Sequence, residues 1–474
     1  MQTTKTNGHD PAQAPLAAIP TLVAKLRLGF DGGRTRPVEL RLEQLARLRR
    51  MLVEHEDEII AALHADVGKP SLEAFVAEVA YTLSEIDLVR KRLRSWAKPE
   101  RVRTSLLAQP GRSRVIREPL GVVLVIGPWN YPFQLVVGPL VGAIAAGNCA
   151  VVKPSEVAPA TSTLLATRLP QYLDPSTVAV VEGGVAETTA LLKERFDHVF
   201  YTGNGAVGRI VMEAAARHLT PVTLELGGKS PCIVDERVDL DVAARRIVWG
   251  KFYNAGQTCV APDYVLAHTR VAERLIERMK DTLLDFYGND PKASPDYGRI
   301  VNARHHRRLT KLLEDGKSGE LAVGGEADEA ARYLAPTILR RVPEHAPVMQ
   351  EEIFGPILPV IEVDNVDAAI AFVNARPKPL ALYVFSSDDD VQEQVIGRTS
   401  SGGATVNHTW MHLAVPDLPF GGVGQSGMGA YHGRRTYETF SHRKAVLVKP
   451  TFLDPTLMYP PYSEAKKKIV RRLV

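Results

Sequence analysis

Cys259 stands in Gly256-Gln257-Thr258-Cys259, and it is one of three cysteines, with Cys149 and Cys232, in a chain of 474 residues. Gly256 before it and Pro262 after it predict an irregular loop, from which a thiol can be presented to a substrate. The thiolate is the reactive form, so a positive charge or helix dipole is expected beside it. Other segments offer complementary groups. Glu225, in Leu224-Glu225-Leu226-Gly227-Gly228-Lys229-Ser230-Pro231, can take a proton. Asn130, in Pro128-Trp129-Asn130-Tyr131-Pro132, carries a side-chain amide that can meet negative charge developing on oxygen. Thiol, carboxylate and amide together suit attack on a carbonyl carbon and passage through a thioester. Cys149 and Cys232 read instead as inert packing.

Gly203-Asn204-Gly205-Ala206-Val207-Gly208 fits the spacing GxGxxG between apolar Val199-Phe200-Tyr201 and a helix-like stretch over 207–218. Glycines there let phosphate oxygens approach the amides of a helix N-terminus. The general dinucleotide rule wants an acid about 20 residues on to bind a ribose, and Glu225 falls there. Glu225 thus has two readings from the residues alone, ribose ligand or proton acceptor. Lys153-Pro154-Ser155-Glu156 follows an apolar run and could equally be a solvated strand end.

The elements that must position these groups read as α/β. Apolar spacing predicts helices over 38–66 and 71–96. Strands over 120–126, 149–152, 178–181 and 198–201 then alternate with helical stretches such as 161–169, which argues for a parallel sheet wrapped by helices. The uncharged stretch 135–152 approaches the length of a membrane span. Gly142 and a turn at Ala146-Gly147-Asn148 divide it into a buried helix and a strand. A second α/β stretch runs over about 230–421, and a last strand over 444–449. Residues 1–20 read as a frayed arm without signal-peptide character.

Composition excludes several classes. Net charge of +4 is weak for this length and gives no argument for nucleic acid. Three cysteines without a CxxC pair argue against a disulfide framework or a zinc site and point to the cytoplasm. His305, His306, His408, His412 and His432 have no metal-ligand spacing, so no metal is expected.

The motifs around Cys259, Glu225, Asn130 and Glu351-Glu352-Ile353-Phe354-Gly355-Pro356 closely resemble those of the aldehyde dehydrogenase superfamily. Pro419-Phe420-Gly421-Gly422-Val423-Gly424 matches another of its signatures, near the substrate mouth. The likeness covers residues from about 20 to the tail. Gly427-Met428-Gly429-Ala430-Tyr431-His432-Gly433, Glu438-Thr439-Phe440-Ser441-His442-Arg443-Lys444 and Tyr459-Pro460-Pro461-Tyr462 are similar to its class 3 branch of fatty, aromatic and coniferyl-aldehyde dehydrogenases. The resemblance implies a Rossmann-like cofactor domain (1–97 and 120–227), an α/β catalytic domain (228–437), a β bridging arm (98–119 and 438–450) and a C-terminal tail (451–474). It implies NAD(P)-dependent oxidation of a medium- or long-chain aliphatic or an aromatic aldehyde to the acid. Cys259 would be nucleophile, Glu225 general base and Asn130 oxyanion donor. Gly203 and Gly208 would flank the cofactor phosphates, and Lys153 and Glu156 would hold its adenosine ribose. Glu352 would contact the nicotinamide ribose, with Phe354 and Trp129 beside the ring. A carboxylate at Glu156 favours NAD over NADP.

Tyr81, Trp129, Trp410 and His412 are candidates for the substrate pocket. A homodimer is implied, with no integral membrane anchor. The basic, partly apolar tail could wrap a partner subunit or make weak peripheral contact with lipid. A CoA-acylating or acyl-phosphate reductase would usually lack the base glutamate. A thiol hydrolase would want a histidine beside Cys259, and a non-catalytic relative would not need the three groups intact.

Overall fold

The computed structural model describes residues 16–454 and 456–473. The expected arm at 1–20 lies partly outside them, and its remainder is already helical. Leu16–Ala18 leads into a helix over Ile19–Asp31, which buries Ile19, Val23 and Leu26. The single helix expected over 38–66 is two helices, Val38–Glu54 and Glu56–Val67. His55 leaves helical geometry between them (φ −121°, ψ 24°). Glu56, Asp57 and Glu58 then occupy the new first turn, where the helix dipole favours acids. Ser71–Trp96 is helical throughout, but its middle, Phe75–Ala80, is π-helical.

Strands β1 (Glu100–Val102) and β2 (Arg112–Pro119) precede a parallel series. That series is β3 (Val122–Ile126), β4 (Cys149–Lys153), β5 (Val178–Val180), β6 (His198–Thr202) and β7 (Val222–Glu225). The chain continues through β8 (Pro231–Val234), β9 (Tyr264–His268), β10 (Glu320–Val323), the hairpin of β11 (Ala327–Asp328) and β12 (Tyr333–Leu334), and β13 (Thr337–Arg340). It ends in β14 (Ile357–Val363), β15 (Ala381–Phe385), β16 (Gly403–Val406), β17 (Gly427–Met428) and β18 (Ser441–Val448).

Two larger sheets result. The first has the order β17-β7-β6-β3-β4-β5, and the second β10-β13-β14-β9-β8-β15-β16. All pairs within β3–β7 are parallel, as the strand–helix alternation predicts. The chain lays down β3, β4 and β5 in one direction and then returns to place β6 on the other side of β3. The strand ends of β3 and β6 therefore flank a topological switch point, where α/β sheets bind ligands. The stretch 135–152 is a buried helix, Gln134–Ala146, closed by Gly147 in left-handed geometry (φ 92°) and followed by β4. A side chain at Gly147 would also strike the Arg41 guanidinium at 2.7 Å.

The smallest sheet pairs β2 with β1 and with β18, all antiparallel. Strand β17 falls within 228–437 by sequence, yet it pairs with β7 on the first sheet. Helix Gly433–Thr439 follows it there, with Thr436 packed against Gly142. The last part of the chain thus returns across the first sheet and closes over the end of β7. Among the described residues, no helix is long and apolar enough to cross a membrane.

Candidate active site

The motif residues of the first sheet end a strand or lie in the loop beyond it, and those of the second stretch lie in loops that lead into strands. Asn130 follows β3, Lys153 ends β4, Gly203 follows β6 and Glu225 ends β7. Cys259 lies between helix Leu240–Phe252 and β9, and Glu352 lies in the loop before β14.

Cys259 is partly buried against the core. Burial pushes its thiol well up, and the Glu352 and Glu225 carboxylates push it further; its own amide and that of Val260 act in the opposite direction. This differs from the sequence expectation of a thiol lowered by positive charge. The charges that act on it are two buried carboxylates, Glu352 and Glu225.

Glu225 is 2% exposed, and neither carboxylate oxygen has a hydrogen-bond partner. Burial alone raises its pKa well above the carboxylate range. A buried charge without partners is costly, and a carboxyl that resists ionisation is a strong proton acceptor once ionised. Glu225 faces the thiol electrostatically rather than lying with Lys153 and Glu156 at the end of β4. Its position at the end of β7, separated from β4 by β6 and β3, sets it apart from the Lys153 and Glu156 pair.

Asn130 is 3% exposed, and its Nδ2 donates to the Gln257 carbonyl at 3.1 Å, beside the cysteine. A side-chain amide has two N–H groups, so one remains for an oxyanion. Tyr131 Oη and Thr258 Oγ1 share a hydrogen bond of 2.7 Å, and Tyr383 Oη donates to the Val260 carbonyl.

Glu352 lies against Gly227, where a Cβ would come within 2.0 Å of its carboxylate. Burial and the nearby Asp263 push its pKa up to about 8, against the opposing pull of the Gly228 amide, Lys229 and Lys251. Lys251 is fully buried, and its ammonium has no hydrogen bond. Its nearest carboxylate oxygen is Asp263 Oδ1 at 3.9 Å, and burial lowers its pKa to about 8. Lys229 Nζ donates to Asp263 Oδ2 at 2.5 Å. Sequence reasoning missed Lys251 and Asp263, since neither lies in a motif. A lysine within the apolar face of a helix was the available signal.

Lys153 is buried, donates to the Pro154 carbonyl at 2.7 Å and lies 3.4 Å from Glu156 Oε2. Burial lowers its pKa, against Glu156. Half of the Glu156 side chain is exposed. A lysine donor beside a carboxylate acceptor suits a vicinal diol such as a ribose. Gly203 and Gly208 pack closely: a Cβ would meet Tyr201 Oη at 2.2 Å or Leu226 Cδ2 at 2.9 Å. The helix Gly205–Ala216 starts between them, with Asn204 capping the Val207 amide at 3.0 Å. Trp129 packs edge-on against Phe354, with centroids 5.3 Å apart, and also meets His305. It is thus separate from the other pocket candidates. Trp410 stacks on Trp249 at 4.3 Å with Tyr253 against its edge, Tyr81 Oη meets His432 at 3.1 Å, and His412 bonds Thr405 at 2.8 Å. No His, Cys, Asp and Glu cluster suited to a metal occurs among the described residues.

The family profile described as "Aldehyde dehydrogenase family" matches residues 3–446. The chain belongs to the aldehyde dehydrogenase family. Mouse aldehyde dehydrogenase family 3 member A2 is 56% identical over 94% of this chain and 92% of that protein. The dog protein named "Aldehyde dehydrogenase, dimeric NADP-preferring" is 52% identical over 94% of this chain and 98% of its own. Among solved structures, a substrate-bound AldH of Staphylococcus aureus superposes with a TM-score of 0.94 and 46% identity, over 96% of this chain and 99% of that one. This aldehyde dehydrogenase is an oxidoreductase of the family 3 branch that oxidises an aldehyde to the carboxylic acid with NAD(P).

Proposed function

We propose that the aldehyde is oxidised through a thioester on Cys259, with Asn130 as oxyanion donor and Glu225 as the base of hydrolysis. The observation that carries this is the convergence on the Cys259 loop of two buried carboxyls that resist ionisation, Glu225 and Glu352, and one amide donor, Asn130. The Cys259 thiolate bonds to the carbonyl carbon, and the oxyanion is held by the free Asn130 N–H and the Cys259 amide. NAD(P), when bound, accepts the hydride. Glu225 then takes a proton from the water that cleaves the acyl–sulfur bond, releasing the acid and restoring the thiolate. The donor set fits the cofactor: Lys153 and Glu156 for one ribose, the Gly205 helix end for phosphate, and Glu352 with the orphan Lys251 ammonium for the second polar end. Half-exposed Glu156 supports a preference for NAD by repelling a 2′-phosphate.

A second reading rests on Glu352. It is the first of the two carboxylates acting on the thiol, and burial and Asp263 push its pKa up to about 8. It could take the Cys259 proton or serve hydrolysis itself.

The aromatic surroundings, Tyr131, Tyr253, Tyr383, Trp249 and Trp410, support a long aliphatic or aromatic aldehyde over a small hydrated one. A homodimer is supported by the eight-residue edge strand β18, whose Leu447 and Val448 are half-exposed. Such an edge invites pairing with a second copy. NADH formation from an aldehyde without CoA or phosphate tests the activity. A panel of aliphatic and aromatic aldehydes, ranked by kcat/KM, tests the substrate class.

A further inference from the structure

Asn130 is held by its backbone as well as its side chain, and the residues that hold the backbone lie outside every motif. Its carbonyl accepts from Lys69 Nζ at 3.0 Å and from Asn254 Nδ2 at 3.0 Å. Lys69 and Glu78 are both fully buried and form an ion pair. The Lys69 ammonium also lies 3.9 Å from the centroid of the Tyr131 ring, a cation–π contact beside the same turn. The other oxygen of Glu78 accepts from the amides of Phe133 at 2.9 Å and Gln134 at 3.2 Å, where the next helix begins. One charge pair therefore clamps the Asn130 turn from both sides, at residue 130 and at residues 133–134.

The element that carries Glu78 is unusual. It lies in the π-helical stretch Phe75–Ala80, a form found mostly as single-turn insertions in α-helices and frequently at functional sites. Earlier on the same run, Glu73 reaches the cysteine loop: its carboxylate accepts from the Asn254 amide at 2.9 Å, and its carbonyl from Tyr253 Oη at 3.1 Å. That loop is held in left-handed geometry at Asn254 (φ 52°), Ala255 (φ 51°) and Gly256 (φ 73°), which is costly for the two non-glycine residues. Asn254 Nδ2 bonds the Gln257 carbonyl at 3.2 Å, the same oxygen that receives the Asn130 side chain. The helical run over residues 71–80 thus fixes both the amide donor and the loop that bears the thiol.

A buried ion pair is weak support for stability, because uncharged replacements of similar volume are often as stable. We propose that Lys69 and Glu78 are positioning residues that set the Asn130 amide against the Cys259 loop. This rests on the reading of Asn130 as oxyanion donor. Removal of an oxyanion donor costs about 10²–10³ in kcat, and a misplacement of about 1 Å can cost about 10². The variant Lys69→Met with Glu78→Gln removes both charges and leaves no lone buried ion. It is compared with Asn130→Ala and with the triple variant, at saturating NAD and aldehyde. The pair variant is expected to fold, to lose about 10–10² in kcat with its KM for NAD unchanged, and to cause no further loss in the Asn130→Ala background. Equal losses in both backgrounds, an effect on KM for NAD alone, unchanged kcat, or failure of the pair variant to fold would each overturn the proposal. Unimpaired turnover by Asn130→Ala alone instead removes the oxyanion reading, so the two failures are distinguishable.

Discussion

At the scale of single residues, environment rather than residue type separates the carboxylates. Glu156 is half in water beside a lysine, whereas Glu225 is buried with neither oxygen bonded. The first suits hydrogen bonding to a sugar, and the second suits proton transfer. Glu156→Gln should therefore weaken NAD binding and improve NADP relative to NAD. The scale is one or two charged hydrogen bonds, about 1.5–3 kcal/mol each. Ratios of kcat/KM for the two cofactors measure it, and an unchanged ratio would make Glu156 a solvated strand end. Cys259, Glu225 and Asn130 were legible in the sequence because each sits in a motif with its own local context. Lys69 and Glu78 were not, since a lysine in Gly68-Lys69-Pro70 and a glutamate inside a helix read as solvated. Their partners lie 61 and 55 residues away, at Asn130 and Phe133, and only the fold brings them together.

At the scale of elements, the parallel series β3–β7 was readable from short apolar runs separated by helical spacing. The N-terminal helix carried a signal in Ile19, Val23 and Leu26, with Pro20 tolerated in its first turn. The break at His55 had none, because the leucine periodicity passes through it; the acids that follow start a new helix. The left-handed cysteine loop and the π-helical stretch also lie beyond periodicity, since both depend on distant hydrogen bonds. The helix Gly205–Ala216 offers a test of the phosphate end. Asn204→Ala should cost about 1 kcal/mol of stability through its lost cap, seen as a lower urea midpoint. It should also raise the KM for NAD. Lower stability with an unaltered KM would separate the cap from cofactor binding.

At the scale of the molecule, strand β17 and helix Gly433–Thr439 bring the end of the chain back over the first sheet. Glu225 is thereby sealed between chain segments far apart in sequence, and its pairing with Gly427 is the closest expression of this. That return was not legible, because it rests on the pairing of Gly427 with Glu225, residues far apart in the sequence. Beyond β18 the tail leaves the body. Phe452 and Tyr462 are largely exposed, and the helix Glu464–Leu473 carries Lys466, Lys467, Lys468, Arg471 and Arg472 beside half-exposed Ile469. The expected role of Val474 lies outside the described residues. Such a basic amphipathic helix can lie on anionic lipid, as an alternative to wrapping a partner subunit. Flotation with anionic vesicles, full chain against one ending at Tyr462, decides between them: loss of flotation on truncation supports lipid, and equal negligible flotation removes it.

The central claim is that Glu225 serves hydrolysis of a thioester on Cys259. Its most direct test is rapid mixing of enzyme, NAD and aldehyde, reading the first-turnover NADH burst and the mass of the quenched protein. Cys259→Ala should show neither burst nor acyl mass. Glu225→Gln should keep a burst, slow steady turnover by about 10²–10⁴, and carry an acyl group trapped on Cys259. A Glu225→Gln enzyme that turns over freely at saturating NAD but with a raised KM for it would instead make Glu225 a ribose ligand. Trapping in Glu352→Gln alone, with Glu225→Gln active, would move the base to Glu352 and contradict the account.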